Sequence, residues 1–314
     1  MISIADVQAA AQRIGDAIRR TPMMRAAPTT VPLSAAGDII LKLECLQVTG
    51  SFKARGALNK LRSLAPADVA KGIVTASGGN HGIAVAYAGR VAKTPTTVFV
   101  PSGVAPAKAA RIRSYGADLR VEGAFWDEAN RRALEMAARG VTYFHPFADP
   151  YVIAGQGTVA LEMLADAPDL DTLMVAIGGG GLISGMSVAA KAIKPGVRII
   201  GVEPFGAATM HDSLAAGRVV ELAQITTKVP TLAARKTEAV NFEIARRFVE
   251  QVVLIEDAAM QAACEFLWKE MGIAADPSGA AAVAALLVGA YKPGPGERVG
   301  VLVCGAGADG TAAV

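Results

Sequence analysis

Short runs of β-branched and apolar residues alternate along the chain with longer stretches whose apolar positions recur every three or four residues. The short runs are DIILKLE (38–44), GIVTAS (72–77), TTVFVP (96–101), DLRVEG (118–123), DTLMVAI (171–177), VRIIGVE (197–203) and RVGVLVCG (298–305). Between them, NHGIAVAYAGRVA and APAKAARIRSYGA keep a helical spacing. Strands alternating with helices predict an α/β fold built on mostly parallel sheets. In such sheets ligands sit beyond the carboxyl ends of the strands, which directs attention to the turns that follow them.

Three turns carry candidate chemistry. After GIVTA comes SGGNHG (77–82), where glycines let backbone amides approach a ligand and Asn80 can serve as a helix cap or as a donor. Such turns are also ordinary caps. After DTLMVAI comes GGGGLISG (178–185), leading into a helix through Met186 to Ile193. Four consecutive glycines there expose a nest of N–H groups at the positive end of a helix dipole, a setting that suits a phosphate. They also cost conformational entropy that a purely structural turn avoids. The third turn, TGSFKARGA (49–57), places Lys53 beside Phe52 where a helix begins.

Composition narrows the field. The 314 residues have room for two domains. The 31 basic and 28 acidic residues are scattered, leaving a formal charge of +3, so nucleic acid is not an expected partner. Cys45, Cys264 and Cys304 show no CxxC spacing, which fits a reducing compartment. The longest apolar run, 279–291, is too short to span a bilayer and reads as a buried helix; no membrane is expected as a partner. The N-terminus lacks the pattern of a signal peptide, and a cytoplasmic protein is expected. The metal-ligand inventory is thin, and no metal site is expected.

Two cofactors compete for the glycine turn. Gly179, Gly181 and Gly185 have GxGxxxG spacing, and Glu203 ends the next strand where a nicotinamide cofactor's ribose would fall. That reading leaves Lys53 without a purpose. A lysine paired with a phosphate nest, and no metal cluster, points instead to a group carrying both an aldehyde and a phosphate, which is pyridoxal 5'-phosphate.

The motifs LECLQVTGSFKARGA, TASGGNHG, HPFADPYVIAGQGTVALEM, GGGGLISG and VCGAGADG, in that order, resemble the serine/threonine dehydratase and serine racemase family of pyridoxal-phosphate enzymes over nearly the whole chain. The resemblance implies a two-domain, tryptophan-synthase-β-like α/β fold (fold type II). Residues 1–68 and 146–314 would form a large cofactor-binding domain and 69–145 a small mobile one, each a mostly parallel sheet flanked by helices. It implies that Lys53 binds the cofactor aldehyde, that Phe52 lies beside the cofactor and that Asn80 hydrogen-bonds its ring hydroxyl. Gly178, Gly179, Gly180, Gly181 and Leu182 would cradle the phosphate. Cys304 falls where the family has a small polar residue, usually Ser, facing the ring nitrogen; a buried strand-end thiol is its other reading. The backbone of Ser77, Gly78, Gly79, Asn80 and His81 would grip the carboxylate of a small amino-acid substrate. A homodimer is implied as well.

The expected reaction is elimination of water from L-threonine, L-serine or a related 3-hydroxy-amino acid, giving a 2-oxo acid and ammonia. A racemase is the alternative on the same scaffold. Gly78 stands where the racemase pattern has a serine serving the opposite face of the α-carbon, which ranks lyase above racemase. A catalytically inactive cofactor-binding protein would need none of Lys53, Asn80 and the glycine nest. The chain stops at Val314, so a regulatory domain and feedback by isoleucine are not expected. The closing motif reads Ala-Gly-Ala (306–308) where relatives commonly have Gly-Asn. Among the remaining candidates, His145 and His211 read as loop residues, Glu203 as leading from a strand into a Pro turn, and Cys45 and Cys264 as core. Asp276 reads first as a helix-start residue.

Overall fold

The structure is a computed structural model and describes residues 2–307; Ala308 to Gly310 of the closing motif, and the chain end at Val314, lie outside the described residues. Ten strands form two sheets among them: β1 (Met23–Arg25), β2 (Asp38–Leu43), β3 (Ile73–Ala76), β4 (Thr96–Val100), β5 (Asp118–Val121), β6 (Thr142–Tyr143), β7 (Thr172–Ala176), β8 (Arg198–Pro204), β9 (Gln251–Ile255) and β10 (Arg298–Val303). The larger sheet has the order β1-β2-β10-β7-β8-β9 and the smaller β5-β4-β3-β6. Every pairing is parallel except that of β1 with β2.

The central strands are legible as unbroken apolar runs because helices cover both faces of a parallel sheet. Leu41, Val175, Ile200 and Val301 are all buried in the core of the larger sheet. Most of the run at 279–291 lies in the helix Pro277–Leu287, which is buried along almost its whole length; its last four residues follow the helix. Its start has a clear cause: the Asp276 side chain accepts the Gly279 amide at 2.6 Å, and Pro277 presets the first turn.

All seven strands expected from the pattern are present, each within two residues of its expected ends at the N-terminal and C-terminal sides. Three more are present that the pattern does not single out. Two of them, β1 and β6, have three and two residues, too few for a period to register. The third, β9, is an edge strand that pairs with β8 alone among the described residues.

The helix that begins with Lys53 (Lys53–Arg62) is fixed by a buried ion network. Arg55 donates to Glu44 at 2.7 and 2.8 Å and to Glu162 at 2.7 and 2.9 Å, and Lys42 donates to Glu162 at 2.6 Å. Two cations against two carboxylates leave the network neutral, the condition under which buried charges are tolerated. Removing one partner would leave an uncompensated charge next to the lysine helix.

Candidate active site

Lys53 is the first residue of its helix, and the turn before it is clipped to the end of β10. Ser51 and Gly305 form an isolated antiparallel bridge, the Phe52 amide donates to the Cys304 carbonyl at 3.1 Å, and the Ala306 amide donates to the Gly50 carbonyl at 2.8 Å. The lysine is thereby set beside the strand end that carries Cys304. Its Nζ lies 5.2 Å from the centroid of the Phe52 ring and donates to the Pro146 carbonyl at 2.7 Å. Burial lowers the lysine pKa to about 8, with Cys304 opposing the shift. A substantial fraction of this amine is neutral near physiological pH, as a nucleophile or base requires.

That shift has a measurable counterpart in the cofactor-free protein. The unfolded chain holds the lysine proton up to about pH 10.4. Between about pH 8 and about pH 10 the unfolded state therefore binds more protons than the folded one, and stability rises with pH across that window. Melting temperatures should show this rise in the wild-type apoprotein and lose it in Lys53→Met; equal pH slopes in the two proteins would contradict the lowered pKa.

The glycine turn follows β7 and opens the helix Gly181–Ile193. The amides of Gly178, Gly179, Gly180, Gly181 and Leu182 donate to no carbonyl or side chain among the described residues. Gly180 has φ +94°, a left-handed conformation that favours glycine. A Cβ on Gly179 would lie 2.2–2.5 Å from atoms of the Phe147 ring, and one on Gly181 would lie 2.4 Å from the Phe147 carbonyl oxygen. The segment is thus a row of free donors at a helix N-terminus, pressed against Phe147 where no side chain fits. It fits a phosphate.

Introducing a carboxylate there separates charge from strain. Gly180→Ala is expected to destabilise the protein by about 1–2 kcal/mol through its positive φ, and Gly180→Asp by a similar amount. The aspartate should additionally weaken phosphate-cofactor affinity by about tenfold or more, because like charges meet in the nest. Cofactor titration and thermal melts of both variants check this. Equal affinities for Ala and Asp would move the phosphate elsewhere.

The asparagine loop follows β3. Gly79 is the N-cap of the helix Asn80–Ala92, and Asn80 is its first helical residue, so the cap reading of Asn80 is corrected. Its side chain instead donates to Asp276 Oδ2 at 3.2 Å, and a Cβ on Gly305 would lie 3.1 Å from its Nδ2. Asp276 both starts its helix, as expected, and faces this loop. Ser77 Oγ accepts the Gly79 amide at 3.3 Å, while the amides of Gly78, Asn80 and His81 have no acceptor among the described residues. The His81 ring turns into the interior: its Nε2 meets the Phe144 carbonyl at 3.1 Å, and burial with Lys53 nearby drives its pKa down to about 3. The backbone amide of His81 is free to face a ligand, and its Nδ1 has no partner among the described residues.

Cys304 is buried and donates from Sγ to the Ser278 carbonyl at 3.3 Å. Burial and the Asp276 carboxylate push its thiol far above the usual range, with Lys53 opposing, so it stays neutral. Cys45 and Cys264 are buried free thiols, as expected of core residues, each pushed up to about 12 chiefly by burial.

Two expectations are corrected. Glu203 lies within β8, is fully buried, and accepts the amides of Met210 and His211 at 2.8 and 2.9 Å. It binds the start of the helix Thr209–Ala216, and burial raises its pKa to about 8. With both oxygens so engaged, it has no place on a ribose. Gly185 packs against the helix Pro150–Asp166, where a Cβ would lie 2.1 Å from the Ile153 carbonyl oxygen. These two positions remove the basis of the nicotinamide reading. His211 belongs to the helix Thr209–Ala216 and pairs with Asp212 at 2.9 Å, so it is not a loop residue.

Other residues reach the site without a local sequence signal. Besides Pro146 and Phe147, Asn241 and Thr237 bind the carbonyl of Gly179. The motif HPFADP contains the first two, but nothing local distinguishes a turn carbonyl that will receive a lysine amine.

A lysine of lowered pKa, a row of free amides at a helix N-terminus and a second loop of free amides fit the aldehyde and phosphate of pyridoxal phosphate. The family model described as "Pyridoxal-phosphate dependent enzyme" matches residues 14–305, and the chain belongs to that family. It is 36% identical to the L-threonine ammonia-lyase of Thermotoga maritima, over 98% of this chain and 76% of the relative. It is 34% identical to the serine racemase of Arabidopsis thaliana, over 98% of this chain and 93% of the relative. Among solved structures, maize serine racemase superimposes with a TM-score of 0.91 at 32% identity, covering 97% of this chain and 93% of that one.

Proposed function

We propose that the protein is a pyridoxal-phosphate-dependent ammonia-lyase that eliminates water from L-threonine, L-serine or a related 3-hydroxy-amino acid, yielding a 2-oxo acid and ammonia. The observation that carries this reading is Lys53, held partly neutral between the glycine nest and the asparagine loop. The similarity to threonine ammonia-lyases over nearly the whole chain supports it.

When bound, pyridoxal phosphate supplies an aldehyde for the amino group and a conjugated ring that accepts the electron pair left by the departing α-proton. Lys53 would hold the aldehyde, and as a partly neutral amine it would serve as the base for the substrate's α-proton. The amides of Gly178 to Leu182 hold the phosphate. Those of Gly78, Asn80 and His81 hold the substrate carboxylate and so fix which bond at the α-carbon is labile. Asn80, kept in place by Asp276, would orient the cofactor by hydrogen bonding. Cys304, whose buried thiol stays neutral, would be the group offered to the ring nitrogen. Phe52 closes the space beside the lysine.

We take residues 69–145 as a smaller unit that closes on the rest when substrate binds; the four strands of the smaller sheet all fall within it. The family resemblance supports a homodimer, and the buried free cysteines fit a reducing compartment such as the cytoplasm.

The racemase alternative has one observation in its favour, the similarity to plant serine racemases. Gly78 stands against it, because no hydroxyl is present there to serve the second face of the α-carbon. A Cβ on Gly78 would also lie 2.9 Å from Val104 Cγ2, so even a serine would need Val104 to move. A panel of L-3-hydroxy-amino acids, scored for ammonia, 2-oxo acid and D-isomer, decides between the two. Ammonia in large excess over D-isomer is expected, whereas faster interconversion of L- and D-serine would replace the lyase reading with the racemase one.

A further inference from the structure

Lys53 and the glycine nest belong to different elements, and a single turn, residues 145–147, touches both. The Pro146 carbonyl accepts the Lys53 amine at 2.7 Å. One residue further, the Phe147 ring and carbonyl fill the space beside Gly179 and Gly181. A shift of this turn would therefore change the distance between the lysine amine and the nest.

The turn is fastened at both ends. His145 Nδ1 accepts the amides of Phe147 and Ala148 at 3.2 and 2.9 Å, and its ring packs edge-on against Phe147 with centroids 4.7 Å apart. Two N–H donors on Nδ1 place the imidazole proton on Nε2, and the ring must be neutral to accept them. Its surroundings favour this: burial and nearby Lys53 lower its pKa to about 4, with Asp149 opposing, and the adjacent His81 is itself held neutral. Tyr143 packs edge-on against the same ring.

From the other side, Asn241 Nδ2 donates to the carbonyls of Phe147 and Gly179, each at 3.0 Å, and the Thr237 hydroxyl donates to Gly179 at 3.1 Å. The carbonyl and N–H of a trans peptide point in opposite directions. Two donors gripping the Gly179 carbonyl from behind therefore aim the Gly180 N–H into the nest. Asn241 is fully buried, and its Oδ1 has no hydrogen-bond partner among the described residues. An amide that leaves its own acceptor unsatisfied is retained there for its two donors.

We infer that His145 and Asn241 are positioning residues that lock the 145–147 turn as a strut, setting the spacing between Lys53 and the nest and aiming the nest's amides. The inference rests on the reading that the nest takes the cofactor phosphate.

The test titrates apoprotein with pyridoxal 5'-phosphate and, separately, with pyridoxal, which has the aldehyde but no phosphate. Wild type should prefer the phosphorylated compound strongly; no preference would remove the phosphate reading itself, independently of any variant. His145→Ala and Asn241→Ala should each weaken pyridoxal-phosphate affinity about tenfold or more while changing pyridoxal affinity by less than about threefold. His145→Asn, whose side-chain oxygen can accept the amide two residues on, should recover most of the loss. The double alanine variant should lose less than the product of the two single losses, because both act through one turn. Equal weakening of both compounds, unchanged pyridoxal-phosphate affinity in either alanine variant, or strictly multiplicative losses would each overturn the strut. If His145→Ala fails to fold, Asn241→Ala carries the same comparison.

Discussion

Replacing Lys53 by alanine should leave a protein that folds, retains no visible cofactor absorbance after desalting, and releases ammonia at least about 10⁴-fold more slowly than wild type. The amine makes one hydrogen bond, to a turn carbonyl, and rests against one ring, so its loss disturbs little of the core. The fully buried lysine of β2, Lys42, is consumed by Glu162 and the Thr21 carbonyl and offers no substitute amine. Lys53→Arg sharpens the test. A guanidinium keeps the positive charge beside Phe52 but stays protonated across the whole working range and cannot act as a neutral base. Arginine should therefore be as inactive as alanine. A Lys53→Ala protein that stays yellow through desalting and turns over would place the covalent link on another residue and overturn the assignment.

Features whose physical cause is local are legible in the sequence. A strand buried on both faces is a continuous apolar run, and β7, β8 and β10 read as such. The glycine nest is legible because four glycines in a row leave backbone donors bare and admit the φ of +94° that Gly180 adopts. Lys53 is legible by its place in a turn. What stays hidden depends on residues far apart in the chain. The partner of Lys53 is a backbone carbonyl 93 positions away, and that of Asn80 is a carboxylate 196 positions away. Asn241 lies 62 positions from the glycine whose carbonyl it holds. A carbonyl leaves no mark on residue identity, and a lone Asn in a helix reads as surface.

Glu203 and His145 conceal their roles for a related reason. Neighbours in sequence suggest only a Pro after a strand in one case and a turn in the other. Their roles come from amides that fold back onto them: Met210 and His211 onto the carboxylate, Phe147 and Ala148 onto the imidazole.

The reaction outcome should turn on Cys304. The thiol is buried, donates to Ser278 and stays neutral, so in the proposed site it would not hold a ring nitrogen protonated as a carboxylate would. Such a site would favour loss of the β-hydroxyl over return of a proton to the α-carbon. Cys304→Ser keeps a small neutral donor and should hold ammonia release within about threefold of wild type, as a near-isosteric change without new charge permits. Cys304→Asp is different. It places a second carboxyl beside Asp276, whose own pKa burial already raises, so the pair favours sharing a proton or drawing one onto the ring nitrogen. Ammonia release should fall by about tenfold to a hundredfold, of the order expected from one to two pKa units of altered electrostatics, while D-isomer and amino-transfer products rise as a share of turnover. Product ratios on L-serine, measured for the three proteins alongside their melting temperatures, separate this from simple damage. An aspartate variant with the wild-type ratio would mean that Cys304 is only the buried end of a strand.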